Sequence, residues 1–260
     1  MSVGNSYLLF QLYGPMSSWG DVAVGESRVS AALPSRSALL GMLGAATGLK
    51  RTNEEQLASL SASVRFAVLA VSIGHFMRDY HTVQVPPASV LKNRPARTRR
   101  DELSVPKNRL RTILSSRDYR GDALYRIVVE STGRGGFDLE RLRQALLKPV
   151  FPLYLGRKAC PPALPLQPQI IVADSVLESL QKAVFDQPGT WLSDLLPTGK
   201  SLSLDQPPYP LVWEDGMRAG VDALKTTARR DQPRTRRRWQ FDERLEHRAT
   251  ISSLEENPCT

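Results

Sequence analysis

Residues 86–111 set the terms on which this chain folds. The stretch holds Pro86, Pro87, Pro95 and Pro106 and has almost no apolar periodicity. Proline removes a backbone donor and locks φ, so no long helix or internal strand is expected there. On either side the sequence is core-like. Val64–Ile73 (VRFAVLAVSI) precedes it and Asp122–Glu130 (DALYRIVVE) follows it, both apolar runs of strand length. The chain is therefore expected to leave its core in this region and return for the second strand. Excursions of this length from a packed domain are functional or disordered.

The charge is concentrated in the same place. Residues 92–120 carry ten Lys/Arg (Lys92, Arg94, Arg97, Arg99, Arg100, Lys107, Arg109, Arg111, Arg117 and Arg120) against three acids. A second block, residues 225–248, carries nine against four. The whole chain is only +9, so everything outside these two blocks is acidic on balance. Basicity confined to two segments, and supplied mostly by arginine, is the electrostatic footprint of a polyanion-binding protein. From charge alone the alternative is a pair of solvated basic loops.

The rest of the chain supplies a core. At 260 residues and 41% hydrophobic, it fills one large domain or two small ones. Residues 6–13 read as a strand broken at Gly14-Pro15, and residues 15–35 as a loop with short extended pieces. Ala38–Ala46 is an apolar helix, with Ser35 or Ser37 as N-cap and Gly48 at its end. A second short helix is expected over residues 53–61. A third, Phe137–Leu147, has its apolar residues on helical spacing and ends before Pro149. This alternation indicates an α+β fold, with a ferredoxin-like unit over residues 1–160. The Pro-rich residues 161–168 mark a boundary. A smaller, partly β C-terminal region, residues 161–260, follows, with a helix over 174–185, a strand over 209–213 and a basic arm.

Most catalytic chemistries find no motif here. The sequence has no P-loop, GxSxG, HExxH or DxDxDG pattern, and Gly41 and Gly44 sit inside an apolar helix where small residues permit close packing. Cys160 and Cys259 lie far apart and there are three histidines, so no disulfide framework, metal centre or cofactor is expected. Cys160 stands beside prolines with no nearby histidine and reads as an inert thiol. The apolar run Tyr7–Tyr13 is too short to span a bilayer and lacks a basic region before it, so a cytoplasmic protein with no membrane partner is expected. One cluster bears on catalysis. Tyr80 and His81, with a lysine such as Lys92 or Lys107, are the residue types of a metal-independent endoribonuclease. The same two residues equally suit stacking on, or hydrogen bonding to, a bound nucleotide.

Four ordered motifs carry a family resemblance. Gly14-Pro15-Met16-Ser17-Ser18-Trp19-Gly20 resembles the GPM-x-x-WG opening of the CasD family, the Cas-five subunits of type I-E CRISPR Cascade. The segment from Leu33 to Gly44 (LPSRSALLGMLG), Arg78-Asp79-Tyr80-His81-Thr82-Val83, and the segment from Tyr154 to Pro161 (YLGRKACP) resemble further motifs of that family in the same order. The resemblance spans residues 6–165 and extends more loosely to Arg230-Asp231-Gln232-Pro233 and Trp239–Thr250. It implies an RRM-like ferredoxin domain with a protruding basic thumb at about residues 84–118. It also implies a non-catalytic subunit of a ribonucleoprotein complex in antiviral defence. Such a subunit grips the 5′ handle of the crRNA and caps the backbone filament. It touches the backbone subunit CasC and the large subunit CasA, and meets target DNA through the complex, while CasE cuts the precursor. In the type I-C branch the Cas-five protein itself cuts, which keeps the nuclease alternative open.

On this resemblance the expected RNA contacts fall in four places. Arg36 and Ser37 stand at a helix start, where backbone N–H groups favour an anion. Tyr80 and His81 follow, and the thumb supplies Lys92, Arg94, Arg97, Arg99, Arg100, Lys107 and Arg109. Arg157 and Lys158 come after Gly156, whose missing side chain is expected to let the backbone approach RNA. Trp19 is assigned to packing or a protein interface, and Met16 to a protein interface. The block Arg229–Arg238 fits the handle, the large subunit, target DNA or a disordered arm.

Overall fold

In the computed structural model, residues 4–21, 25–92, 96–185, 207–235, 238 and 240–254 are described. The first strand, β1 (Asn5–Ser17), runs straight through Gly14-Pro15. Pro15 costs the ladder little, because Gly14 and Met16 on either side of it both pair with the neighbouring strand. Gly14 is needed for a close approach: a Cβ there would come within 2.9 Å of the Leu155 side chain and of the Pro161 carbonyl.

Three strands build the central sheet with β1. They are β5 (Val64–Ser72), β7 (Arg111–Ser131) and β8 (Gln169–Ala173), in the order β5-β7-β1-β8, all antiparallel to their neighbours. The connection from β1 to β5 passes through the two-residue strands β2 (Trp19–Gly20), β3 (Ser27–Arg28) and β4 (Ser30–Ala31) and then α1 (Arg36–Ala46) and α2 (Glu54–Ser63), and that from β7 to β8 through α5 (Leu139–Leu147). Two interlocked β–α–β units on one antiparallel sheet are the ferredoxin-like arrangement. Helix α1 starts where expected, with the Ser35 hydroxyl accepting from the Ala38 N–H at 3.3 Å.

Both faces of this sheet are covered. Leu8, Phe10 and Leu12 of β1 pack with Leu39 and Leu43 of α1 and Leu142 and Leu146 of α5. Tyr7 and Leu9 face the other way, toward Val176 and Leu180 of α6 (Val176–Lys182) and Leu211 and Trp213 of β9 (Tyr209–Glu214). A central strand covered on both sides reads as an unbroken apolar run, which is why β1 was legible. A covered sheet face is closed to RNA, so a binding surface must lie elsewhere.

The C-terminal region extends the same sheet. β9 pairs with β5, β11 (Gln240–Ile251) pairs with β9, and β10 (Lys225–Thr235) forms the outer edge. The Pro-rich stretch is packed along β1: the Gln11 N–H donates to Leu166 O at 2.8 Å and the Ala163 N–H to Tyr13 O at 2.9 Å. Among the described residues, no helix is long and apolar enough to cross a membrane.

The excursion is more ordered than its prolines suggest. β6 (His75–Val85) pairs with the first half of β7 from His75↔Gly121 to Val85↔Arg111, a two-stranded ribbon reaching out from the sheet. Its tip carries α3 (Ala88–Leu91), α4 (Arg99–Leu103) and a 3-10 turn (Lys107–Arg109). A capping box joins Thr98 and Asp101 at the start of α4. Gly74 turns β5 into β6 at φ +64, where a Cβ would stand 2.1 Å from Gly121 O.

Candidate nucleic-acid interface

Successive side chains of a strand point to opposite faces. On β6 this puts Phe76, Arg78, Tyr80, Thr82 and Gln84 on one exposed face. Their partners across the ribbon are Arg120, Asp118, Ser116, Leu114 and Thr112. Phe76 is half exposed and Tyr80 is 73% exposed, four residues apart or about 13 Å along the strand. Exposed aromatics at that spacing, with arginines between, suit base stacking alternating with phosphate contact.

The base of the ribbon is held by a compact charged cluster. Arg78 donates twice to the buried Asp118 carboxylate, at 2.7 and 3.1 Å. Those hydrogen bonds, reinforced by the charges of Arg78, Arg157 and Arg120, hold the Asp118 carboxyl below its ordinary range despite its burial. The Phe76 ring lies between Arg78 at 5.3 Å and Arg120 at 5.6 Å. Arg157 stacks on Tyr119 at 4.7 Å and donates to Asp118 O at 3.3 Å and to Arg28 O at 3.0 Å.

Several expected contacts stand on this surface. Lys92, Arg97, Arg99, Arg100, Lys107 and Arg109 are all exposed at the tip. Arg99 is also tied to Glu102 and to Gln84 O, which fixes α4 against β6. Arg94 lies outside the described residues. Lys158 is exposed beside Arg157, although Arg157 is largely occupied within the fold. Gly156 makes a different close approach from the one expected. At φ +85 a Cβ would stand 1.8 Å from Ser18 O, so the glycine lets two protein segments meet.

At the start of α1 the expectation changes outright. Arg36 is 5% exposed and salt-bridged to buried Glu214. It also donates to Ser61 O at 2.7 Å and Val64 O at 3.2 Å. The anion expected at the start of α1 is the chain's own: the Asp231 carboxylate accepts from the Arg36 N–H at 2.8 Å. Arg36 is therefore not on the surface, and Ser37 is half-buried with its hydroxyl 3.0 Å from that of Ser35. Of the two roles expected for Trp19, packing is the one realised: it is fully buried, edge-on to Tyr125 at 5.7 Å, and offers no surface to a protein partner. Met16 is half-buried and packs against the same core.

Tyr80 and His81 do not converge. As adjacent strand residues they face opposite sides of the ribbon, and His81 Nε2 stands 2.7 Å from the Asp79 carboxylate. General acid–base catalysis needs both groups within hydrogen-bond reach of one reacting centre. Cys160 is buried, and burial pushes its thiol up, away from reactivity. Phe76, Asp118 and Tyr119 are contacts that sequence reasoning missed, while Arg78 and Arg120 enter it only as part of a family motif and of the basic block. The signal was the period-2 run of residues 75–83, hidden because neither of its faces is apolar.

Three of the four resembling motifs meet beneath the ribbon. The Ser18 N–H donates to Leu155 O at 3.0 Å, and the Ser18 hydroxyl to Asp118 O at 2.9 Å, beside Arg157 and Arg78. The fourth lies next door, where Tyr125 under Trp19 donates to Ala32 O at 2.7 Å. The family model of the CRISPR-associated protein (Cas_Cas5) matches residues 7–245. The chain belongs to the Cas5 family. It is 35% identical over 170 residues to the "CRISPR system Cascade subunit CasD" of Escherichia coli (strain K12), covering 62% of this chain and 69% of that protein. A solved chain of a "CRISPR RNA-guided surveillance complex" superposes with a TM-score of 0.59 at 25% identity, covering 95% of this chain and 90% of the other. A second, titled "Crystal structure of Cas protein", has a TM-score of 0.56 at 22% identity, covering 97% and 100%, and shares the fold.

Proposed function

We propose that this Cas5 family chain is a non-catalytic Cascade subunit that grips the 5′ handle of the crRNA and caps the backbone filament. The observation that carries this reading is the convergence of three family motifs under a basic ribbon with exposed Phe76, Arg78 and Tyr80. The exposed tip cations Lys92, Arg97, Arg100, Lys107 and Arg109 take phosphates, and the two aromatics take bases. The backbone subunit CasC meets the ribbon, CasA contacts the same end of the complex, and target DNA arrives with the assembled complex. Cutting of the precursor falls to another subunit.

The test is incubation of the purified chain with labelled CRISPR repeat RNA in EDTA, run on denaturing and native gels in parallel. Intact RNA with a salt-sensitive shift is expected. Tyr80→Ala weakens that shift by about 1–3 kcal/mol, the range for one lost stacking contact. A discrete cleavage product lost on His81→Ala would make the chain a processing nuclease and defeat this reading.

A further inference from the structure

The second basic segment folds as the β10–β11 hairpin at the outer edge of the sheet. Its sequence is mixed, with nine Lys/Arg and four acids over residues 225–248. Folding sorts these charges. Asp231 and Glu246 are buried, where Arg244 donates to Asp231 at 2.7 and 3.0 Å and to Glu246 at 2.8 Å, and Arg229 stands 3.7 Å from Glu246. Half of the segment's acids are thus used inside the fold. Among the described residues, the surface keeps Lys225, Arg230, Arg234, Arg238 and Arg248 against only Asp242 and Glu243.

The strand register adds an independent observation. Lys225 and Arg248 are directly opposed across the ladder, both exposed. Neither makes an ion pair among the described residues. Like charges facing each other across a strand pair are destabilising. Arg229 and Arg244 are also opposed, but there Glu246 pairs with both and Asp231 with Arg244. Protecting a sheet edge from aggregation takes a charge, and a repelling pair is not required. The strand is also long: its eleven residues extend over about 33 Å, the length of several nucleotides. It is separated from β7 by three intervening strands, so it is not part of the ribbon surface.

We propose that the β10–β11 hairpin is a second nucleic-acid contact, a sequence-independent track for a phosphodiester backbone. An RNA strand and a DNA duplex share that chemistry, and the test separates them. Full-length chain is titrated by fluorescence anisotropy with mixed-sequence single-stranded RNA and, separately, mixed-sequence duplex DNA across a salt series. The variant Lys225→Glu with Arg230→Ser and Arg234→Ser removes three cations spaced along the outer edge strand, Lys225 from one of its faces and Arg230 from the other, and with them three phosphate contacts. The log–log salt slope is then expected to become shallower by about 2 on RNA or about 3 on duplex DNA. The arm that changes identifies the source. The melting temperature should not fall at Lys225→Glu, because glutamate there faces Arg248. Should the triple variant fail to fold, Lys225→Gln with Arg248→Gln removes two charges and their repulsion, with slope changes of about 1.4 or 1.8. An unchanged slope on both nucleic acids, with folded protein, overturns the proposal. The same titrations in a Tyr80→Ala background keep this outcome separate from that of the ribbon, since the hairpin effect is expected to persist there.

Discussion

Replacing Arg36 by alanine should unfold this protein before it affects RNA binding. The guanidinium is buried, salt-bridged to Glu214, bonded to Ser61 O and Val64 O, and lies 5.5 Å from the Phe66 ring centroid. Its loss leaves a carboxylate that is only 7% exposed without its closest counter-charge. Breaking one side of a buried pair costs about 3–5 kcal/mol, because the remaining charge stays desolvated. In a chain of this size each kcal/mol moves the melting temperature by about 2–4 °C, so a fall of about 6–20 °C is expected. The cost should depend on pH. Burial already raises the Glu214 carboxyl, opposed by Arg36 and Arg244. Without Arg36 it rises further. A carboxyl raised by folding loses stability as pH climbs through its folded value, so the deficit should shrink in acid and grow as pH rises. Glu214→Gln in the Arg36→Ala background should restore part of the loss. Thermal melts followed by circular dichroism measure this, with RNA binding assayed well below the variant's melting temperature. A variant that melts within 2 °C of the parent (~1 kcal/mol) yet binds RNA more weakly would show that Arg36 reaches RNA and that this reasoning is wrong.

Two further outcomes follow from the ribbon base. Asp118→Asn should lower the melting temperature at neutral pH by weakening the grip on Arg78, and the gap to the parent should close as pH falls below about 4. The folded Asp118 is held below its ordinary value by the Arg78 hydrogen bonds, so its contribution is present above the unfolded value near 3.9 and is lost as pH falls through the folded one. A gap that persists in acid would mean that charge is not the cause. Gly156→Ala should lower the unfolding free energy measured in urea by at least ~1 kcal/mol, from left-handed backbone and collision with Ser18 O, whereas Gly20→Ala, with nothing within 4 Å of its Cβ, should have little effect. Equal free energies for the two would refute the packing drawn at residue 156.

Much of the core could be read directly from residue order. β1, β5, the second half of β7, α1 and α5 announce themselves because burial imposes a pattern on neighbouring residues. Strands covered on both faces are continuously apolar and helices repeat at 3.6. The ribbon was only half legible. The chain's departure from the core could be seen in its prolines and arginines, but the pairing of β6 with β7 could not. One face of β6 is exposed and largely polar, and the half-buried other face mixes Met77, Val83 and Val85 with Asp79 and His81, so neither side is apolar enough to declare the period.

The candidate site divides the same way. Sequence alone determined that charge is confined to two segments and that four family motifs occur in order, because both are properties of residues along the chain. Only the tertiary structure decided which charges reach the surface. Arg36 looks like any other arginine until Glu214, 178 residues away, is folded against it. Tyr80 and His81 look like a pair until strand geometry turns them apart. The availability of a charge depends on what lies across from it, and for these residues the partner comes from another element of the fold.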